Sequence, residues 1–229
     1  MGEYNNHNDK VNIVKILVVD DHDLVRQGLS QVLKGLEKEI EVLEAAHCAA
    51  AFEVAAQHKD LDLVLLDYQL PDVNGVDALD GFGARYPELP IVILSGTANQ
   101  SVMRQALNKG AAGFVSKNAS SKDLLQALRH VLDGEVHVPP ELLEGDYLPE
   151  EPESDSTATP RQLTPRQEQV LYLLLEGYSS RAISQKLFLS EETTKTHVSA
   201  IIRAFGAKTR LQAVLASGRY GYVKPVRPT

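Results

Sequence analysis

The stretch Leu63-Val64-Leu65-Leu66-Asp67-Tyr68-Gln69-Leu70-Pro71 carries four apolar residues up to one aspartate, and a proline follows four positions later. A short continuous apolar run is typical of a strand that is buried on both faces, as in a parallel sheet. Ligands of open parallel sheets lie beyond the carboxyl ends of the strands, where Asp67 would stand. Because aspartate is also common in polar turns, this stretch alone leaves both interpretations open.

Strand and helix patterns alternate around this stretch through the first 135 residues. Such alternation predicts βαβ units, and hence a doubly wound α/β domain in which helices cover both faces of a five-stranded parallel sheet. The predicted strands are 13–20, 40–43, 63–67, 90–95 and 113–117, and the predicted helices are 24–36, 49–57, 75–85, 99–109 and 121–133.

The last third of the chain predicts four helices and no strand. Thr164, Pro165 and Gln167 form a capping box with proline at the first helical position, which starts a helix that runs to Glu176. Ser179, Ser190 and Thr209 would cap the next three helices, over 180–186, about 191–204 and 210–217. Two short helices joined by a turn of a few residues indicate a helix-turn-helix.

Charge divides the chain into unlike parts. Residues 1–140 carry a net charge of -8, residues 141–160 carry -7, and residues 161–229 carry +7, which together give the overall -8. The basic last third favours nucleic acid as a partner. The expected organisation is a disordered tail over 1–12, a first domain over 13–135, an acidic, proline-rich extended linker over 136–160, and a helical domain over 161–229.

Composition also indicates a location. The single cysteine, Cys48, cannot build a disulfide framework, and no stretch reaches 18 consecutive apolar residues. The polar start of the chain does not resemble a signal peptide. We therefore expect a cytoplasmic protein that makes no use of a membrane.

Acidic and basic side chains follow four of the predicted strands. Asp20 and Asp21 close the first strand, Asp67 the third, Ser95 the fourth and Lys117 the fifth. These ends converge on one crevice of a doubly wound sheet. Carboxylates packed together favour a hard cation such as Mg²⁺, and a lysine with a hydroxyl can bind anionic oxygens. This combination suits phosphoryl transfer to a carboxylate.

Here the chain resembles the receiver domain of bacterial two-component response regulators, a flavodoxin-like fold. The matching pieces stand in family order across residues 13–135: Val18-Val19-Asp20-Asp21-His22, Leu66-Asp67-Tyr68-Gln69-Leu70-Pro71 with Gly75, Leu94-Ser95-Gly96, and 110–117. Two departures are Leu70, where the family most often has methionine, and the absence of the proline that many receivers carry after Lys117.

The resemblance implies a role for each residue of the crevice. Asp67 would accept a phosphoryl group from the phosphohistidine of a sensor histidine kinase. Mg²⁺ would be held by Asp21, Asp67 and the backbone carbonyl of Gln69, with Asp20 acting through water. Lys117 and Ser95 would bind phosphoryl oxygens, and Phe114 matches the aromatic switch position, although plain core packing explains that residue equally well.

Residues 163–217 resemble the LuxR-type helix-turn-helix of the NarL/FixJ response regulators. The resemblance rests on Leu163-Thr164-Pro165-Arg166-Gln167-Glu168, 174–179, Leu187-Phe188-Leu189-Ser190, Thr194-Lys195-Thr196-His197-Val198 and Arg210-Leu211-Gln212-Ala213-Val214. The third helix of this region has an apolar stripe at spacings of three and four, which leaves a polar face free for the major groove of double-stranded DNA.

Two groups of residues are predicted to contact DNA. The polar face of the third helix would meet base edges through Lys195, Thr196, Ser199 and Arg203. Residues at helix starts and loops would meet phosphates: Thr164, Arg166, Ser190, Lys208, Thr209 and Arg210. Ala200 and Ala204 leave the groove-facing surface lean in cations, so we expect a homodimer on two half-sites.

Together these patterns predict a transcription regulator that is controlled by phosphorylation of Asp67 and is not an enzyme in the usual sense. Two alternatives remain open from sequence. In one, the receiver is structural and a protein partner, not phosphate, switches DNA binding. In the other, Asp67 is the nucleophile of a small phosphatase or phosphotransferase, which would leave the basic third unexplained.

Overall fold

The structure is a computed structural model of the 229-residue chain. It describes residues 13–36, 39–97, 99–133, 136–143, 163–207 and 209–223. The predicted tail over 1–12 and most of the predicted linker lie outside the described residues. None of the helices in these ranges is both long enough and apolar enough to cross a bilayer.

Five parallel strands form one sheet in the order β2-β1-β3-β4-β5. The order steps outward from β1 in both directions, as in a doubly wound sheet. The strands are β1 (Val14–Val19), β2 (Ile40–Ala45), β3 (Leu63–Asp67), β4 (Ile91–Ser95) and β5 (Gly113–Ser116). The continuous apolar run of β3 is buried at every position because helices cover both of its faces.

Five helices pack on the two faces of the sheet. Alternate residues of the strands divide between two cores: one face packs against α2, α3 and α4, and the other against α1 and α5. The helices are α1 (Asp23–Leu33), α2 (Cys48–Gln57), α3 (Gly75–Arg85), α4 (Gln100–Asn108) and α5 (Ser121–Leu132). The fold class predicted from sequence is confirmed, and element ends differ by only a few residues.

The start of the predicted linker is folded. His137 donates its backbone N–H to the carbonyl of Ala112 at 2.9 Å, which adds a short parallel bridge beside β5. A short helix, α6 (Pro140–Leu143), follows and buries Leu142 completely. The chain is therefore folded over 136–143, where the sequence predicts an extended linker, because these residues bury apolar side chains on the first domain.

The C-terminal domain contains four α-helices around its own core. They are α7 (Pro165–Leu175), α8 (Ser180–Leu187), α9 (Glu191–Ala204) and α10 (Arg210–Ser217), followed by a 3₁₀ turn. The capping box predicted for Thr164 and Gln167 is present. Ser179, Ser190 and Thr209 cap the next three helices through their side-chain oxygens, as predicted.

Candidate functional site

Four polar side chains meet at the carboxyl edge of the sheet. Asp20 follows β1, Asp67 ends β3, Ser95 ends β4 and Lys117 follows β5. Asp20, Asp67 and Ser95 are all almost fully buried, although they are polar. Such groups are costly to bury unless they are paired or hydrogen-bonded. The convergence inferred from the strand ends is therefore present in the structure.

Lys117 joins the two buried carboxylates. Its Nζ lies 2.6 Å from Asp20 Oδ2 and 2.8 Å from Asp67 Oδ2. Burial alone would lower the pKa of Lys117, but the hydrogen bonds to both carboxylates outweigh it, and the pKa is raised. Burial raises the pKa of Asp67, against the opposing effects of Lys117 and of the Gln69 amide. The amino group thus stays protonated beside the acid pair.

Oxygen donors cluster on the open side of this edge. Asp20, Asp21, Asp67 and His22 each offer a ligand atom, and these atoms lie within 4.8 Å of one another. His22 Nδ1 is 2.8 Å from Asp21 Oδ1, a contact that the sequence did not predict. The donor set, mainly carboxylate oxygens, fits a hard divalent cation such as Mg²⁺.

The loop after β3 is held tightly against Asp67. The backbone N–H of Gln69 donates to Asp67 Oδ1 at 3.2 Å. The backbone N–H of Gly75 donates to the carbonyl of Tyr68 at 2.8 Å. Ser95 is fixed by the next loop, because its Oγ accepts from the Thr97 amide at 3.2 Å. Phe114 is fully buried between the sheet and the helices of the α2–α4 face.

The helix-turn-helix is built from α8 and α9. The apolar stripe predicted on α9 is buried through Val198, Ile201 and Ile202. Thr194 is also buried, and its hydroxyl donates to the carbonyl of Ser190 at 3.1 Å, which satisfies a polar group in the core. The opposite face of α9 carries the residues predicted to meet base edges.

The receiver covers part of this polar face. Lys195 Nζ donates to the carbonyl of Leu61 at 3.0 Å, and Ser199 Oγ donates to Glu88 Oε2 at 2.7 Å. Lys195 and Ser199, both predicted to meet base edges, therefore contact the first domain in this structure, which the sequence did not indicate.

A second contact joins α10 to the end of α4. Gln212 donates from Nε2 to the carbonyl of Asn108 at 2.9 Å. Gly110, with φ +96°, lies so close to Thr209 that an added Cβ would be 2.2 Å from the threonine methyl carbon. Together with the α9 contacts, these bonds hold the two domains in a closed arrangement.

The residues predicted to contact phosphates have mixed surroundings. Arg166 donates to the carbonyl of Leu187 at 2.6 Å, and Arg210 donates to the carbonyl of Tyr178, so both guanidinium groups also hold their own domain together. Lys208 lies outside the described residues. The other members of the set are helix caps: Thr164, Ser190 and Thr209.

Comparisons with known proteins agree along the chain. Residues 16–129 match the response regulator receiver domain, and residues 161–217 match the family described as bacterial regulatory proteins, luxR family. The chain is 33% identical over 218 residues to the glycerol metabolism activator of Pseudomonas putida, covering 93% of this chain and 99% of that protein. It is 31% identical over 228 residues to the transcriptional regulatory protein DegU of Brevibacillus brevis, covering 93% and 96%.

A solved structure supports the same assignment. The crystal structure of a LuxR-family two-component response regulator from Aurantimonas sp. SI85-9A1 superposes with a TM-score of 0.54 at 26% identity, covering 58% of this chain and 94% of that one.

The fold and its acidic edge therefore define a receiver joined to a helix-turn-helix domain, the class of transcriptional response regulators of two-component systems. Within that class the chain belongs to the NarL/FixJ family, as the relatives and the LuxR-type domain show.

Proposed function

We propose that phosphoryl transfer from a sensor histidine kinase to Asp67 switches this regulator from the closed arrangement to a DNA-binding form. The position of Lys117 between Asp20 and Asp67 is the observation that carries the proposal. At this edge of the sheet, the ammonium group of Lys117 can stabilise the negative oxygens of a phosphoryl group that is transferred to the buried carboxylate of Asp67.

The chemistry at Asp67 is a group transfer. A carboxylate oxygen of Asp67 attacks phosphorus, the bond from phosphorus to the kinase histidine nitrogen breaks, and that nitrogen keeps the electron pair and takes up a proton. Lys117 then binds a phosphoryl oxygen in place of its contact with the free carboxylate of Asp67. The hydroxyl of Ser95 donates a hydrogen bond to another phosphoryl oxygen. Asp67 is thus modified, and the chain acts on no separate substrate, which is the reason for proposing that it is not an enzyme.

The carboxylate cluster fits Mg²⁺ as the resident cation. Asp21, Asp67 and the carbonyl of Gln69 would hold it, with Asp20 acting through water. When bound, the cation neutralises negative charge on the phosphoryl oxygens. The remaining stabilisation comes from Lys117 and from the fixed β3 loop.

The output of the switch is DNA binding by α9. Lys195, Thr196, Ser199 and Arg203 would meet base edges, while helix caps and loop cations would meet phosphates; this second group comprises Thr164, Arg166, Ser190, Lys208, Thr209 and Arg210. Because Lys195 and Ser199 bind the receiver in the closed arrangement, DNA and receiver compete for them. Phe114, which is buried in the core on one face of the sheet, would follow rearrangement around Asp67.

The remaining parts of the proposal follow from the family and the sequence. We place the receiver at 13–135, a linker at 136–160 whose first residues dock on the receiver, and the DNA-binding domain at 161–229. A homodimer would bind two half-sites in the cytoplasm. A receiver switched only by a protein partner would leave the Asp20, Asp67 and Lys117 set without a use.

Capture of genomic DNA fragments tests the proposal. The purified chain in Mg²⁺ should enrich discrete promoter fragments when beryllofluoride mimics the aspartyl phosphate, and Asp67→Asn should abolish that response. Asp123→Asn, which changes an exposed carboxylate on α5, serves as the matched control and should respond like the natural protein. Equal enrichment with and without beryllofluoride would contradict control by phosphate, whereas release of phosphate from small esters would favour the enzyme alternative.

A further inference from the structure

A cavity of about 410 Å³ lies between the receiver and the helix-turn-helix domain. It opens below the amino-terminal ends of the strands, where Val14, Leu61 and Ala112 line it. The phosphoacceptor edge, by contrast, lies at the carboxyl ends of the same strands. The cavity is therefore separate from the site of Asp67. Its size lies within the range of roughly 300–1,000 Å³ that is usual for small-molecule sites, which often form between domains.

Apolar and cationic side chains line different parts of the cavity. The receiver contributes mainly apolar side chains, including Leu61, Leu89 and Val131. The helical domain contributes Arg181 and Arg210 with the starts of two helices, and its apolar lining residues are Leu174, Leu175, Leu211 and Val214. An apolar body would thus contact apolar side chains of both domains, while a charged head would contact the two arginines of the helical domain.

Arg181 and Arg210 have no carboxylate partner among the residues that the structure describes. Arg210 donates only to the carbonyl of Tyr178, and burial lowers the pKa of its guanidinium to about 10, so it stays a cation at neutral pH. A desolvated guanidinium without an anion is an incomplete pair, because charge-assisted hydrogen bonds are its favoured contacts.

Most acids that line the cavity already have donors. Asp62 accepts from the Lys15 amide at 2.9 Å, Glu88 accepts from Ser199 at 2.7 Å, and Glu191 lies 3.8 Å from Lys195. Asp133, at the end of α5, is exposed to solvent. These contacts leave the two arginines as the available cations of the helical domain, with the exposed Lys59 on the receiver side.

Two helices also begin at the cavity. Ser179 and Ser180 start α8, and Thr209 and Arg210 start α10; all four residues line the cavity. The amino-terminal turns of helices carry unpaired N–H groups and partial positive charge, which favour anions. They add to the field of the arginines on the same wall.

We propose that this interdomain cavity binds a small organic anion with an apolar body, whose charged head pairs with Arg181 and Arg210. Both domains form the walls, so the anion binds the closed arrangement and not an open one. By linkage, such an anion stabilises the closed form and weakens DNA binding. Only this last consequence rests on the proposed function; occupancy of the cavity does not.

A methyl NMR titration of the full chain tests the site. The probe is octanoate, and octan-1-ol, which has the same apolar body without the charge, is its control. Octanoate should shift the methyl signals of Leu61, Leu89 and Val131 saturably, and octan-1-ol should bind at least tenfold more weakly. Shifts confined to other methyls, no shifts, or equal affinity for the two probes would overturn the proposal.

Variants separate the charged head from general apolar binding. Arg181→Gln should weaken octanoate binding about tenfold, while Lys122→Gln, which removes an exposed cation on α5, should not change it. Arg210→Gln should act like Arg181→Gln, with the spectrum itself reporting whether the domain still folds. Octanoate affinity that is the same in both arginine variants as in the natural protein would refute the assigned role.

A final set of measurements tests whether octanoate binding and DNA binding affect each other. Beryllofluoride with Mg²⁺ should lower octanoate affinity, and saturating octanoate should reduce capture of DNA. If octanoate fills the cavity without these effects, occupancy stands and the inferred coupling to DNA binding is wrong. If octanoate does not bind, the phosphate switch is untouched, because its own test uses no octanoate.

Discussion

Gly75 begins α3 directly behind Asp67, and the space for its side chain is already occupied. An added Cβ would lie 2.6 Å from the carbonyl oxygen of Asp67 and 2.7 Å from the Cα of Tyr68. Both neighbours are backbone atoms of the β3 loop, so they cannot move without shifting Asp67 and Gln69. The glycine is thus required by close packing of two backbone segments.

We expect Gly75→Ala to destabilise the receiver by about 2 kcal/mol, since overpacking of this kind typically costs 1–3 kcal/mol. It should also slow phosphorylation of Asp67. Urea denaturation and kinase labelling measure the two effects. Gly28→Ala on α1, where an added Cβ meets nothing within 4 Å, is the control and should be neutral or slightly stabilising.

His137 makes stability depend on pH. Burial lowers its pKa, the charge of nearby His130 lowers it further, and Glu141 opposes them. In the window between this lowered value and the ordinary value of 6.5, the unfolded chain binds the proton more strongly. The free energy of unfolding should therefore fall as pH falls through that window, by at most about 1.4 kcal/mol per pH unit for one proton.

Denaturation by urea at pH 7.5 and at pH 5.5 measures this dependence. His137→Asn should reduce the difference between the two pH values, because the titrating group is gone. His58→Asn, at the end of α2, is the histidine control. An unchanged difference in His137→Asn would show that other groups carry the effect.

Residues at the carboxyl edge of the sheet were predictable because strand ends place them there. Asp20, Asp67, Ser95 and Lys117 each follow a strand, and a parallel sheet brings such ends together whatever the loops do. The contact of His22 with Asp21 was not predictable, because it depends on the rotamers of two exposed side chains. The roles assigned to these residues stay predictions.

Elements were predicted where local signals are strong. The N-caps of α7, α8, α9 and α10 are hydrogen bonds between residues three positions apart, so the residue types in the sequence predict them. α6 has no such signal, because it has only four residues in a proline-rich, acidic stretch. It forms where Leu142 reaches a buried position on the receiver, which is a contact distant in sequence.

We expect Leu142→Ala to destabilise the receiver by about 2–5 kcal/mol, as for other fully buried leucines. Residues 136–143 should then become susceptible to proteolysis. Thermal denaturation and limited proteolysis report these changes. Leu24→Ala, at a leucine that is 83% exposed, should cost little by comparison. Equal stability losses in the two variants would argue against docking of α6.

At the scale of the whole molecule, the arrangement of the two domains could not be predicted from the sequence. Each domain has its own core, so hydrophobic patterning within one says nothing about how it meets the other. Lys195, Ser199 and Gln212 each donate one hydrogen bond from the helical domain to the receiver. From sequence alone, polar side chains of this kind are expected to face solvent.

Loss of one interdomain bond should favour the open form. We expect Glu88→Ala to raise the DNA affinity of the unphosphorylated chain about tenfold, because it removes the acceptor, and a hydrogen bond to a charged acceptor contributes roughly 1.5–3 kcal/mol. Fluorescence anisotropy with a captured promoter fragment measures the change. Glu53→Ala, at an exposed carboxylate on α2, should leave affinity unaltered. A Glu88→Ala protein with natural affinity would mean that this contact does not restrain α9.

The interdomain hydrogen bonds of Lys195, Ser199 and Gln212 also set a limit on gene control. If the bond to the charged Glu88 contributes about 1.5 kcal/mol and the other two about 1 kcal/mol each, these three bonds favour the closed form by about 3.5 kcal/mol, or a few hundred-fold. Because release of α9 within one subunit can recover no more DNA affinity than these bonds remove, any larger ratio between induced and basal promoter occupancy must come from pairing of two subunits on DNA. Promoter occupancy without phosphorylation, and the gain in occupancy on phosphorylation, therefore both depend on the strength of the same weak interface.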